Sequence, residues 1–118
     1  MTKKDLVIVI PYIDLPNYIL GLLKTITTKY SYHIYLIDNH SDLQTKEVLA
    51  HLVKRDDLTI IFNDTNIGVA GAWNQGLNIA IDEHCADYVV LLNNDTLLHP
   101  QCLDNLVETL RESEVPLV

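Results

Sequence analysis

The chain predicts an α/β fold on a parallel sheet, and three observations carry that prediction. Short apolar runs rich in β-branched residues alternate with longer segments of helical periodicity, four times over. The runs are continuously apolar, as strands buried on both faces require. Each run ends in polar residues, at 12–14, 38–41, 63–68 and 93–96. Strands joined by helices run parallel through right-handed crossovers, so these four polar ends share one edge of the sheet.

Taken in order, residues 6–10 form the first strand, a run of Leu, Val and Ile. Pro16 and Asn17 open a helix whose apolar face is Ile19, Leu23, Ile26 and Tyr30. Residues 32–37 are the second strand. Ser41 followed by Gln44 resembles a capping box for a second helix, which buries Val48, Leu49 and Leu52. Residues 58–62 are the third strand, and 63–71 a loop of turn residues. The third helix buries Trp73, Leu77, Ala80 and Ile81, and Gly76 inside it points to close packing on the sheet. Residues 87–92 are the fourth strand. Pro100 stands where a first helical residue would, and Leu103, Leu106, Val107 and Leu110 line the last helix. Residues 115–118 begin a fifth strand.

One domain accounts for all 118 residues, and 48% hydrophobic content suffices for a core. Sixteen acidic against eight basic residues give a formal charge of −8, which argues against nucleic acid as a partner. A phosphorylated small molecule is compatible with that charge if a metal supplies the missing positive charge. Cys85 and Cys102 lack metal-ligand spacing and read as reduced, partly buried residues of a cytoplasmic protein. The N-terminal apolar run is too short for a signal peptide, no segment has the length of a membrane span, and no His-x-x-x-His pair suggests zinc.

Three clusters on the shared edge could carry chemistry. In Leu91-Leu92-Asn93-Asn94-Asp95-Thr96 a strand runs into two amides and a carboxylate. A hard cation such as Mg²⁺ or Mn²⁺ takes oxygen ligands, often one or two carboxylates with the substrate's phosphates. Asp95 could supply one oxygen and Asn93 or Asn94 a neutral one; a plain Asx-turn is the other reading. In Asp38-Asn39-His40-Ser41-Asp42, Asp38 could accept a ring N–H from a pyrimidine base, or bond nearby backbone N–H groups, while turn propensity alone explains Ser41 and Asp42 as helix caps. The stretch Asn66-Ile67-Gly68-Val69-Ala70-Gly71 leads into the third helix. Its small residues let backbone approach a phosphate at a helix N-terminus, or simply serve a turn at positive φ. It lacks the lysine of a Walker loop. The segment Pro11-Tyr12-Ile13-Asp14-Leu15-Pro16 after the first strand is not the glycine-rich loop of a nucleotidyltransferase or a dinucleotide oxidoreductase, and it lacks the paired acids of a phospho-acceptor domain.

These residues resemble the N-terminal, nucleotide-sugar-binding half of family 2 glycosyltransferases along essentially the whole chain. Val7-Ile8-Val9-Ile10-Pro11-Tyr12 is similar to that family's first strand, and Leu36-Ile37-Asp38-Asn39-His40-Ser41 to its Asp-Asn-x-Ser turn. The spacing of Asn66, Gly68, Asn74 and Gly76 resembles its Asn-x-Gly loop and helix, and Asn93-Asn94-Asp95-Thr96 its Asp-x-Asp position, in the form of a rhamnosyltransferase-like branch. The resemblance implies a truncated GT-A fold, a Rossmann-like sheet in the order 3-2-1-4. It further implies transfer of a sugar from a UDP- or dTDP-linked donor to a hydroxyl on a glycan or lipid-linked acceptor, with inversion, in polysaccharide biosynthesis at the cytosolic face of a membrane. Asp38 would contact the base, with Pro11 and Tyr12 lining its pocket. Asn66, Gly68, Asn74 and Asn94 would belong to the nucleotide site. Asp95, with Asn93 beside it, would hold Mn²⁺ or Mg²⁺ on the diphosphate.

Two departures stand out. Asn93 replaces the first carboxylate of Asp-x-Asp, and one carboxylate can suffice because the diphosphate also binds the metal. The acceptor-binding half, which usually carries the general base, would follow Val118, so no residue is assigned as the base. The chain alone is therefore expected to bind donor weakly, to transfer no sugar and to self-associate through its unpaired sheet edge. A non-catalytic nucleotide-sugar-binding module is the alternative.

Overall fold

A computed structural model of the protein describes residues 3–113. Strands β1 (Leu6–Tyr12), β2 (Tyr32–Asp38), β3 (Leu58–Phe62) and β4 (Tyr88–Leu91) form one parallel sheet in the order β3-β2-β1-β4. The helices are α1 (Pro16–Thr25), α2 (Leu43–Leu49), α3 (Gly68–His84) and α4 (Cys102–Glu112), and α2 runs on into a 3-10 turn at Ala50–Lys54. Element order and strand order are those expected from the sequence. The fifth strand expected at 115–118 lies outside the described residues. None of the described helices is long and apolar enough to cross a membrane.

Because side chains alternate across a strand, each continuous apolar run feeds two cores. Leu6, Ile8 and Ile10 of β1, with Ile34 and Leu36 of β2, meet α1, α2 and α4 through Ile19, Leu22, Leu49, Leu103 and Val107. Val7 and Val9, with Tyr35 and Ile37, meet α3 on the opposite face through Ala72 and Ala80. β1 is buried along its whole length, and the flanking β3 and β4 are only partly covered.

The helix faces differ from the expected ones in instructive ways. α3 buries Ala72, Gly76, Ala80 and His84, a stripe spaced by four, and leaves Ile81 56% exposed. Small residues let the helix axis come close to the sheet, so bulk moves to the margins, where Trp73 packs. His84 faces inward because the Tyr35 hydroxyl reaches its Nε2 at 2.6 Å. On α2, Thr45 and Leu49 turn inward while Val48 is exposed. Its cap is Asp42, whose Oδ1 accepts from Thr45 N–H at 2.8 Å. The Ser41 hydroxyl, expected to cap, instead accepts from Asp14 N–H at 2.8 Å and ties the loop after β1 to the loop after β2. α1 stops at Thr25, so Ile26 and Tyr30 reach the core from the following loop. Both cysteines are free, and Cys85 is exposed rather than partly buried because it ends α3 in the left-handed conformation.

At the far end of β3 an ion pair staples the turn. Arg55 Nε and Nη2 donate to the two oxygens of Asp57, each at 2.8 Å, and the Tyr32 hydroxyl donates to Oδ2 at 2.9 Å. The Arg55 guanidinium holds the Asp57 carboxyl down at about 2, from 3.8. The folded value is depressed, so the associated stability is present above 3.8 and is lost as pH falls towards about 2. Asp57→Asn is expected to flatten the acid limb of the stability curve in that window. At neutral pH it should cost no more than about 1 kcal/mol, because water reaches a third of the pair. Urea unfolding at a series of pH values measures both, and an unchanged acid limb would refute the assignment.

Candidate functional site

The sheet reverses its direction of growth at β1. The chain leaves β1 for β2 and then β3 on one side, and returns through α3 to place β4 on the other. A crevice opens beyond the strand ends at such a reversal, the usual ligand position in open α/β sheets. Here a cleft of about 230 Å³ lies there. Its walls are Pro11, Tyr12 and Ile13 from β1, Asn39 after β2, Asn66, Gly68 and Val69 at the start of α3, and Asn93 and Asn94 after β4. All four polar ends read from the sequence thus meet in one place. A wider hollow of about 740 Å³, between the starts of α1 and α2, includes none of the sequence-predicted site residues.

Of those residues, Pro11, Tyr12, Asn66, Gly68, Asn93 and Asn94 line the cleft. Asp38 does not; it is fully buried. One carboxylate oxygen accepts from Ser41 N–H at 2.6 Å, closing the turn after β2, and the other accepts from the Tyr12 hydroxyl at 3.2 Å. Register explains the pairing, since Tyr12 and Asp38 are direct neighbours across β1 and β2. Burial pushes the Tyr12 phenol well above its ordinary value, and the Asp38 charge and hydrogen bond push it further, so Tyr12 remains the donor. Asn74 is exposed on α3 and stands outside the cleft lining. Asp95 is exposed in the turn directly after Asn93 and Asn94, where Thr96 N–H donates to the Asn93 carbonyl at 3.4 Å.

The donor set after β4 is one carboxylate beside two amides. Among the described residues no three His, Cys, Asp or Glu side chains gather to hold a metal ion. Such a set fits a hard cation that brings most of its ligands with it, as phosphate oxygens and water, and does not fit a resident ion caged by protein.

A network of amides was missed by the sequence reading. Asn39 Nδ2 donates to the Gly68 carbonyl at 3.1 Å, and its Oδ1 accepts from Asn63 Nδ2 at 3.0 Å. Asn63 and Gln75 exchange a reciprocal pair of hydrogen bonds, at 3.0 and 2.9 Å. The ends of β2 and β3 and the first turns of α3 are joined through these three side chains. The sequence held a signal, in that Asn39 and Asn63 each follow a strand directly, but an isolated asparagine there reads as a turn former.

Among curated proteins none matches this chain in sequence. Among solved structures it is similar to Staphylococcus aureus TarS 1-349, with TM-score 0.69 and 19% identity over 92% of this chain. It is also similar to the same protein in complex with UDP, with TM-score 0.67 and 18% identity over 92% of this chain. The chain spans about a third of the length of either structure, 32%. That likeness shows the fold, a truncated GT-A sheet of alternating β/α units. The profile of Glycosyl transferase family 2 matches residues 7–118. The chain belongs to glycosyl transferase family 2.

Proposed function

We propose that this chain is the donor-binding part of a glycosyltransferase that takes a sugar from a pyrimidine nucleoside diphosphate and passes it, with inversion, to a hydroxyl acceptor. The observation that carries this is the convergence of Tyr12, Asn39, Asn66, Gly68, Asn93 and Asn94 on one cleft at the point where the sheet reverses. UDP in a complex of the structurally similar TarS supports a uracil base. The form Asn93-Asn94-Asp95-Thr96 supports a rhamnosyltransferase-like branch with a UDP- or dTDP-linked donor and a glycan or lipid-linked acceptor.

In this reading the base sits against Tyr12, and Asp38 accepts its ring N–H. Two of the carboxylate's roughly four acceptor sites are already taken, which leaves capacity once the Tyr12 side chain gives way. The loop from Asn66 to Gly68 and the first N–H groups of α3 face the diphosphate. Asp95, with Asn93, would hold Mg²⁺ or Mn²⁺, which neutralises charge on the departing diphosphate when bound.

A second reading, a module that binds a nucleotide sugar without turning it over, is favoured by one feature. The residues lining the cleft include four asparagines and no carboxylate or histidine that could act as a general base.

Asp95→Ala is expected to abolish the dependence of UDP binding on Mn²⁺ or Mg²⁺ without lowering thermal stability, because the side chain is exposed. Calorimetric titration of UDP with and without metal reads this directly. Metal dependence surviving in the variant would remove Asp95 from the site. Assaying release of free sugar and transfer to glycan acceptors on the same sample separates the two readings.

A further inference from the structure

We infer that Asn39 is a positioning residue, whose amide latches the 63–68 loop against the sheet and so sets one wall of the cleft. The ligand arm of this inference rests on the nucleotide-binding reading above; the latch itself does not. Asn39 is only 4% exposed, and its own N–H continues the sheet ladder by donating to the Tyr12 carbonyl at 2.8 Å. Its backbone position is therefore fixed by the two most buried strands. From that anchor the side chain reaches the loop in both senses. Nδ2 donates to the Gly68 carbonyl at 3.1 Å, while Oδ1 accepts from Ile67 N–H at 3.4 Å and from Asn63 Nδ2 at 3.0 Å.

Past Asn63 the loop has little else to hold it. Residues 64–70 are all exposed, so burial of apolar surface does not pin them. Gly68 adopts φ +80°, and an added Cβ there would meet nothing within 4 Å. Its glycine answers a backbone conformation rather than a lack of room. Asn66 Oδ1 accepts from Gly68 N–H at 2.9 Å, which shapes the turn locally but does not attach it to the sheet. At its start the loop is tied to β2 by Asn63 N–H, which donates to the Asp38 carbonyl at 2.9 Å; beyond that, attachment of residues 67 and 68 runs through Asn39, braced from behind by Asn63 and Gln75.

The chemistry demands an amide. A carboxylate of the same shape would keep the acceptor for Ile67 and Asn63 but would set an oxygen against the Gly68 carbonyl. An aliphatic side chain would leave Ile67 N–H and the Asn63 amide without this partner. Because Asn66, Gly68 and Val69 form one wall of the cleft, the latch determines how far that wall stands from Tyr12 and Asn93.

The test uses Asn39→Leu, of similar size and without a polar side-chain atom, and, as a milder change, Asn63→Ala, which removes the brace but leaves the Asn39 bond to Gly68 in place. Amide hydrogen exchange is followed residue by residue, urea midpoints are measured, and UDP is titrated by calorimetry. In Asn39→Leu, which takes the acceptor from Ile67 N–H and the donor from the Gly68 carbonyl, exchange at Ile67 is expected to accelerate about tenfold, the scale of one lost hydrogen bond, with a smaller rise at Gly68, whose N–H keeps Asn66 Oδ1, while β1 and β2 amides hold their rates. UDP affinity should fall about tenfold with them, and Asn63→Ala should show smaller shifts at the same amides. Unchanged exchange at Ile67 and Gly68, or acceleration spread evenly over the whole sheet, would overturn the latch. Local acceleration with unchanged UDP affinity would overturn its role in positioning the cleft. If the unaltered protein binds no UDP, the nucleotide reading fails, and the exchange data still decide the latch.

Discussion

Asp38→Asn is expected to weaken UDP binding by about 1–3 kcal/mol while leaving the fold nearly as stable as before. The amide oxygen can still accept from Ser41 N–H, and the amide nitrogen can donate to the Tyr12 hydroxyl, so both local bonds survive with one reversed. What is lost is the acceptor that would meet a base N–H. Free diphosphate, which carries no base, should bind as it did. Asp38→Ala is the contrasting case. It leaves Ser41 N–H and the Tyr12 hydroxyl unpaired in a site with no exposure, and should cost about 1–3 kcal/mol of stability for each group. Chemical denaturation together with paired titrations of UDP and diphosphate separates the roles. Equal losses for the two ligands in Asp38→Asn would make Asp38 a structural residue only, serving the turn and Tyr12.

A second large effect on stability is expected at Gly76. Alanine is the better helix former by about 1 kcal/mol, so propensity alone predicts a gain. The structure reverses that sign. A Cβ at Gly76 would run into both γ-carbons of Val9, in the middle of the fully buried β1. Overpacking of this kind typically costs about 1–3 kcal/mol, and here the obstacle is a β-branched side chain on a central strand with little freedom to yield. Gly76→Ala should therefore be destabilising. Adding Val9→Ala should recover part of the loss, with a favourable coupling of about 1 kcal/mol or more in the double-mutant cycle. A stabilised Gly76→Ala protein would show that α3 can lift off the sheet without penalty. Since α3 begins at Gly68, such a lift would also reach the cleft.

Much of the site was legible because it depends on order along the chain. Each strand delivers its next residues to the same sheet edge, whatever the details of packing. Hence Pro11, Tyr12, Asn66, Gly68, Asn93 and Asn94 could be grouped from the sequence, and they line one cleft. Depth was less legible. Asp38 and Tyr12 are both strand-end residues with polar tips, and only the β1–β2 register shows that one holds the other. The amide chain of Asn39, Asn63 and Gln75 was out of reach for the same reason, since its members come from different elements and each alone looks like a turn or a surface residue.

The sequence by itself determined the fold class, the strand order through family resemblance, and the set of loops that meet at the site. Periodicity and polar strand ends are properties of single segments, and a parallel sheet converts them into position. The buried faces of α1 and α4 were also legible, through Ile19, Leu23, Leu103 and Val107, whereas tertiary structure alone decided how α2 and α3 turn against the sheet and what each polar side chain bonds. α3 shows why. Ala80 and the close packing at Gly76 were expected, but the fully buried stripe is Ala72, Gly76, Ala80 and His84, with Trp73 at its margin and Ile81 exposed, because close approach of helix and strands rewards small residues over bulky ones. Ser41 shows it again, trading the expected cap for Asp14 N–H, a partner 27 residues away that no local pattern contains.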